Sequence, residues 1–277
     1  MCVRVRFPAA RSPSFRGKPL IVYEVEIVKL FILVMARVSG LMVSAPVLGS
    51  ANFPAMGKIG LVGLTAALIA PTLAPLHMAI PDDPLAFALV GAGEFLIGLL
   101  MGFVMTIVFG SIQVAGQIMD MQTGFGMMNV FNPALETQFP IFGFFLFIVA
   151  VLVLLATNGH HLMLRALAST YDQIPLGGFV LRPKLVWEVS QWGRAMFYDG
   201  LMIAAPVGAA MLVAYVVMGL VGRVVPQIQL FVVGFPVTIA LSLVVVAVSL
   251  ELYIGLLDGM YGEMFRNVST VIQGMRP

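Results

Sequence analysis

The chain has 277 residues, 60% of them hydrophobic and only 10% charged, and a mean hydropathy of +1.03. A soluble domain carries about one quarter charged residues, so this composition belongs to the membrane class. The single cysteine, Cys2, excludes an internal disulfide and a Cys-rich metal site, and a net charge of +2 gives no ground for nucleic-acid binding.

The charge is unevenly placed. Residues 1–20 hold Arg4, Arg6, Arg11, Arg16 and Lys18 and no acid, which leaves ten basic residues against thirteen acidic ones in the remainder. This head also carries Pro8, Pro13 and Pro19 and lacks the apolar core of a signal peptide. It reads as a disordered cytoplasmic arm or as sequence upstream of the start codon in use. Regular patterning begins near Tyr23, so the expected organisation is an extension over 1–22, one helical domain over 23–270 and a tail over 271–277.

Glu24 to Val47 is long enough to span a bilayer, although Lys29 and Arg37 interrupt it. Lys29 can snorkel to an interface. Arg37 lies near the middle, is expensive against lipid, and is therefore expected on a protein- or water-facing side. A second apolar run, Ile59 to Leu76, carries Gly60, Gly63, Ala66, Ala67 and Ala70, small residues suited to close helix contact. Pro81–Pro84 breaks the pattern, with Asp82 and Asp83 suited to capping the next helix. Leu85 to Met121 is too long for one perpendicular span; Gly98 and Gly102 make a GxxxG spacing, and Gly110, Ser111 and Gly116 offer places for a bend. Pro140 to Ala156 is the most purely apolar run and ends at Asn158-Gly159. A more polar stretch runs to residue 182, then an amphipathic opening into Leu201–Val221, kinked at Pro206. The last block, Phe231 to Leu257, contains Gly234 and Pro236. The fold class is an all-α membrane protein with about six long helices, several of them bent.

Between two of these segments lies DMQTGFGMMNVFNPALETQF, Asp120 to Phe139. Gly124 and Gly126 permit backbone angles that a side chain forbids, and Pro133 ends any helix that tries to cross. Yet Phe125, Met127, Met128, Val130 and Phe131 make it too apolar for an ordinary surface connection. Irregular backbone at membrane depth survives where it is buried in protein or faces a water-filled cavity. Methionines supply a soft surface that adapts to variable shapes. Two readings stand side by side: a flexible apolar plug, or a helix–helix loop packed under a neighbouring subunit.

Catalysis has little support. There is no HExxH, nucleophile elbow, P-loop or GxGxxG after a strand, and no cofactor site is expected. His160 and His161 are adjacent, so a helix is expected to point them to different faces, each hydrogen-bonding a backbone group near the helix end. Glu94 and Asp120 are intramembrane acids; proton relay is one reading, and paired groups joining helices is the favoured one. The charges are too sparse and scattered for an autonomous pump.

Taken in order, Arg37–Leu41 with Ala45-Pro46, the Glu94–Gly98–Gly102 spacing, then Gly116, Asp120, Gln122 and Gly124 form a recognisable succession. Asn132-Pro133, Asn158-Gly159-His160, Pro175-Leu176-Gly177 and, most closely, Gly219 to Pro236 (GLVGRVVPQIQLFVVGFP) continue it. The succession resembles the FliR family of flagellar biosynthesis proteins, related to the SctT export-apparatus subunit of virulence type III secretion, over roughly residues 24–270. Gly234-Phe235-Pro236 is similar to the flagellar side; virulence relatives tend to a Ser-Met-Pro-like version.

The resemblance implies a subunit of the flagellar type III export gate, multi-pass in the bacterial inner membrane at the basal body. Its helices would be bent hairpins in an assembly with FliP-like and FliQ-like subunits and FlhB-like and FlhA-like export proteins. Unfolded flagellar proteins are the implied substrate, and no nucleic acid is implied. The family's plug loop falls on about Thr123 to Phe139. The tip, Gly126-Met127-Met128-Asn129, is richer in Met and poorer in Phe than its relatives. Arg223, Pro226 and Gln227, at a helix break, are expected to set a hairpin and contact a neighbouring subunit; a plain cytoplasmic turn obeying the positive-inside bias is the alternative. Glu94, Asp120, Gln122, Gly234 and Pro236 are the other expected packing or gating residues. A virulence export subunit and a small-solute transporter remain the competing functions.

Overall fold

The computed structural model describes residues 20–46, 49, 54–73, 80–126, 140–180, 182–225 and 230–276. Among them there are seven helices and no strand: α1 (Leu20–Ser44), α2 (Ala55–Leu73), α3 (Pro84–Thr123), α4 (Ile141–Ala156), α5 (Gly159–Gln173), α6 (Pro183–Val224) and α7 (Leu230–Gly274). Five of these are long and apolar enough to cross a membrane, and the pair α4–α5, bent by 67° at its junction, makes a sixth candidate. The all-α membrane class read from composition is the observed one, and the chain is a multi-pass membrane protein.

The organising element is α3, which packs against α1, α4, α6 and α7. It starts where the PDDP signal predicts. Pro84 occupies the first turn, and the Asp83 carboxylate accepts a hydrogen bond from the Ala86 N–H at 2.9 Å. It ends at Gly124, whose φ of +96° is the left-handed geometry that glycine supplies at helix ends. Between these signals it is one uninterrupted helix of 40 residues. The small residues read as bend sites admit neighbours: Ser111 is buried, and a Cβ on Gly116 would lie 2.0 Å from Gly143 Cα of α4.

α1 crosses α3 with backbones nearly touching. A Cβ on Gly98 would lie 2.0 Å from the Arg37 carbonyl, and one on Gly40 would lie 2.1 Å from that of Phe95. The GxxxG expectation is met here, and the Ser44 hydroxyl reinforces the crossing by donating to the Leu99 carbonyl at 3.0 Å. In α2 the expectation holds only in part. Ala66 and Ala70 are buried, whereas a Cβ on Gly60 or Gly63 would have nothing within 4 Å, and Ala67 is exposed. Small side chains permit close packing without compelling it, and the face of α2 turned to α1 carries the alanines.

The α4–α5 bend falls at Asn158, in the left-handed region at φ 57°. Asn tolerates that geometry better than other residues with a Cβ. Pro206 and Pro236 lie inside α6 and α7, which continue through them. α7 also runs on to Gly274, well beyond the apolar block that ends at Leu257. Two buried tyrosines tie it to α4: Tyr253 donates to the Leu146 carbonyl at 2.9 Å and Tyr261 to that of Ala150 at 2.6 Å.

Candidate functional site

Arg37 and Glu94 are paired. Arg37 is fully buried, as its cost against lipid demands, and its Nε donates to Glu94 Oε2 at 2.6 Å with both side chains wholly inaccessible. The rest of the guanidinium is also used. Nη1 donates to Thr170 Oγ1 at 2.9 Å, Nη2 to the Ile174 carbonyl at 3.2 Å, and the Tyr171 ring lies 4.2 Å below it. Glu94 Oε1 accepts from the Gly177 N–H at 2.9 Å. One ion pair thus joins α1 and α3 to the end of α5 and the Pro175–Gly177 turn. A buried pair in hydrocarbon survives only when its remaining donors and acceptors are filled in this way. Thr170 and Tyr171 were not legible as partners, because nothing local marks a Thr-Tyr pair 133 residues from an arginine as its cradle.

Asp120 performs a different task. Its carboxylate accepts from the backbone N–H groups of Phe142 at 3.1 Å and Gly143 at 3.4 Å, the first turn of α4. Pro140, the residue at the cap position, offers no side-chain acceptor, so Asp120 of α3 serves the helix end in its place. Both acids therefore join helices. In the N-terminal half of α1, Lys29 meets Asp82 at 2.8 Å, in keeping with a snorkelling lysine.

Around the end of α3 three elements converge. Phe125 meets Phe142 edge-to-face at 5.5 Å between ring centres. Phe235 at the start of α7 lies over Gly124, where a Cβ would stand 2.5 Å from its ring. The Thr238 hydroxyl donates to the Thr123 carbonyl at 2.9 Å, and the Tyr215 hydroxyl of α6 donates to that of Gln122. The Gln122 side chain lies beside Gly208, with its Oε1 buried and unpartnered. Gly124 is thus brought against Phe235, and Phe125 against Phe142, while Gly126 faces Asp120 and Met121 of the preceding turn. A Cβ on Gly234 would lie 3.5 Å from Met218 Sδ. Met127, Met128, Val130, Phe131 and Pro133 lie outside the described residues, as do Pro226 and Gln227. Arg223 is exposed in the last turn of α6, where a cation suits the helix C-terminus.

The histidines differ from expectation. The His160 and His161 rings lie 4.2 Å apart, and His160 Nδ1 is buried without a partner rather than bonded to backbone. Neighbouring side chains leave a helix about 100° apart, but rotation about χ1 in the first turn is enough to bring two rings together. Among the described residues no group of three His, Cys, Asp or Glu side chains is placed to hold a metal ion.

Comparison with known proteins gives this geometry a context. Residues 28–264 match the family model for bacterial export proteins, family 1. The chain is 30% identical over 241 residues to the flagellar biosynthetic protein FliR of Escherichia coli K12, covering 86% of this chain and 90% of that one. The Bacillus subtilis 168 FliR is 29% identical over 249 residues, covering 87% and 95%. That of Caulobacter vibrioides is 31% identical over 219 residues, covering 79% and 87%. With nearly its whole helical part inside one family model and relatives matched over most of their length, the chain belongs to the bacterial export proteins of family 1, alongside the flagellar FliR proteins.

Proposed function

We propose that the chain is a core subunit of the flagellar protein export gate in the bacterial inner membrane. It helps to form the pore through which unfolded flagellar subunits leave, in an assembly with FliP-like and FliQ-like subunits and beside FlhB-like and FlhA-like export proteins. Residues 23–270 act as one helical unit in that assembly. The mechanism is gating rather than bond chemistry: the stretch Thr123–Phe139 is the plug, Met127, Met128, Val130 and Phe131 supply an apolar seal, and Gly124 and Gly126 let it swing. An apolar constriction excludes water and ions by dewetting.

What carries the reading is the end of α3. Phe125, Phe142 and Phe235 gather there around a left-handed glycine, so the plug stretch departs from a firm apolar base formed by three helices. A loop that must seal and yet move needs a fixed root. Deleting Thr123–Phe139 is expected to leave the subunit able to assemble while making the closed complex leak small ions, measured as conductance across a planar bilayer. Unchanged conductance with intact assembly sinks the plug.

Arg223, exposed beside the α6–α7 connection, contacts a neighbouring subunit in this scheme. Arg223→Ala should reduce recovery of the partner subunits in mild detergent, and full co-purification would reduce it to an ordinary helix-end charge.

A further inference from the structure

The last carbonyls of any helix lack a donor from their own ladder. At the end of α3 two of them are taken from a distance. The Tyr215 hydroxyl of α6 serves Gln122, and the Thr238 hydroxyl of α7 serves Thr123 at 2.9 Å, across 115 residues of sequence. Phe235, one turn before Thr238, closes over Gly124. Thr123 and Thr238 are both buried, so no water competes for these groups.

Thr238 has a second acceptor within reach. Its Oγ1 lies 3.1 Å from the Phe235 carbonyl of its own helix. A hydroxyl carries one hydrogen, so donation to Thr123 and donation to Phe235 exclude each other. When the hydrogen turns from Thr123 to Phe235, the contact between α3 and α7 is released; the hydroxyl keeps an acceptor while the Thr123 carbonyl gives up its donor. The Gln122 Oε1, buried and unpartnered beside Gly208, adds a polar group at the same junction that the present arrangement leaves unfilled.

We infer that Thr238, with Tyr215 and Phe235, is a positioning residue for the gate: a releasable latch that couples the end of α3 to the α6–α7 hairpin. The latch lies wholly in the helices. Its link to gating rests on the plug reading above. Movement of the hairpin is thereby transmitted to the point from which residues 124–126 depart.

The test uses the export complex purified from membranes, in a Cys2→Ser background, with Thr238→Val, Thr238→Ser and Tyr215→Phe variants. Spin labels at Met121→Cys and Val237→Cys, both exposed positions, report the spacing of the two helix ends. Thr238→Val and Tyr215→Phe should broaden that distance distribution and raise closed-state conductance by about fivefold, the population change expected from one net hydrogen bond. Thr238→Ser, which keeps the hydroxyl, should restore both. An unchanged distance distribution in Thr238→Val overturns the latch, as does broadening without leak when deletion of residues 127–139, which spares Thr123 and Gly124, does leak. If that deletion does not leak, the plug reading fails, and the distance distribution alone decides the latch.

Discussion

At the scale of single residues, buried polar groups are the points of greatest leverage. Arg37→Met leaves Glu94 charged, buried and without its main partner, at a cost of about 3–5 kcal/mol. Adding Glu94→Leu removes the orphan and should recover most of that loss, since an apolar pair of similar size suits the site. Thermal unfolding midpoints of the single and double variants in one detergent would show this; equal loss in both would mean that the pair contributes through something other than charge compensation. A protein- or water-facing side for Arg37 was legible from the sequence, because a mid-span arginine cannot face lipid, and a protein partner is one of those two outcomes. Its identity was not, for Glu94, Thr170 and Ile174 meet it only through the packing of three helices. Asp120 is a parallel case: a carboxylate near the C-terminus of α3 can only accept and so has no use for the carbonyls of its own helix end, but nothing local says that it caps α4.

At the scale of elements, glycines divide by what faces them. Gly116→Ala drives a methyl into the α4 backbone and should separate α3 from α4, with loss of folded protein. Gly60→Ala and Gly63→Ala meet open space in the chain itself and should stabilise α2 by up to about 1 kcal/mol each, because alanine loses less backbone entropy. Detergent stability of the isolated chain distinguishes these outcomes, and a destabilised Gly60→Ala would contradict the open face. Sequence patterning located all of the long helices and the PDDP start of α3. Gly110, Ser111, Pro206 and Pro236 all lie inside continuous helices. The end of α3 was half legible, with Gly124 as a turn, while Tyr215 and Thr238 carried no local signal.

At the scale of the molecule, length is the constraint. α3, α6 and α7 have 40, 42 and 45 residues. At about 1.5 Å per residue these reach roughly 60 Å or more, about twice the hydrocarbon thickness of a bilayer. Each must extend beyond the lipid at one end or both, or lie steeply tilted in a distorted bilayer. Much of the outer face of α6 and α7 is apolar, Leu212, Val216, Leu220 and Val248 among it, whereas beyond Leu256 the exposed side chains of α7 are polar, Asp258, Glu263, Arg266 and Gln273 among them. Single cysteines at Trp187 and Val224, both exposed and far apart on α6, are expected to react with a membrane-impermeant maleimide in the isolated subunit. A cysteine at buried Val207 is expected not to react. Protection of both end positions would mean that lipid or protein covers the entire helix.

The Arg37 junction also has a calendar. Its acceptors lie 57, 133 and 137 residues downstream, so at a synthesis rate of about 5–20 residues per second the guanidinium waits several seconds for Glu94 and longer for Thr170. During that interval α1 holds an unmatched charge worth roughly 2.5–3.5 kcal/mol against insertion. The nascent chain is therefore least well matched to the membrane before α3 emerges, and a ribosome stalled ahead of residue 94 leaves α1 carrying the very arginine that later locks the finished protein, without the acid that meets it.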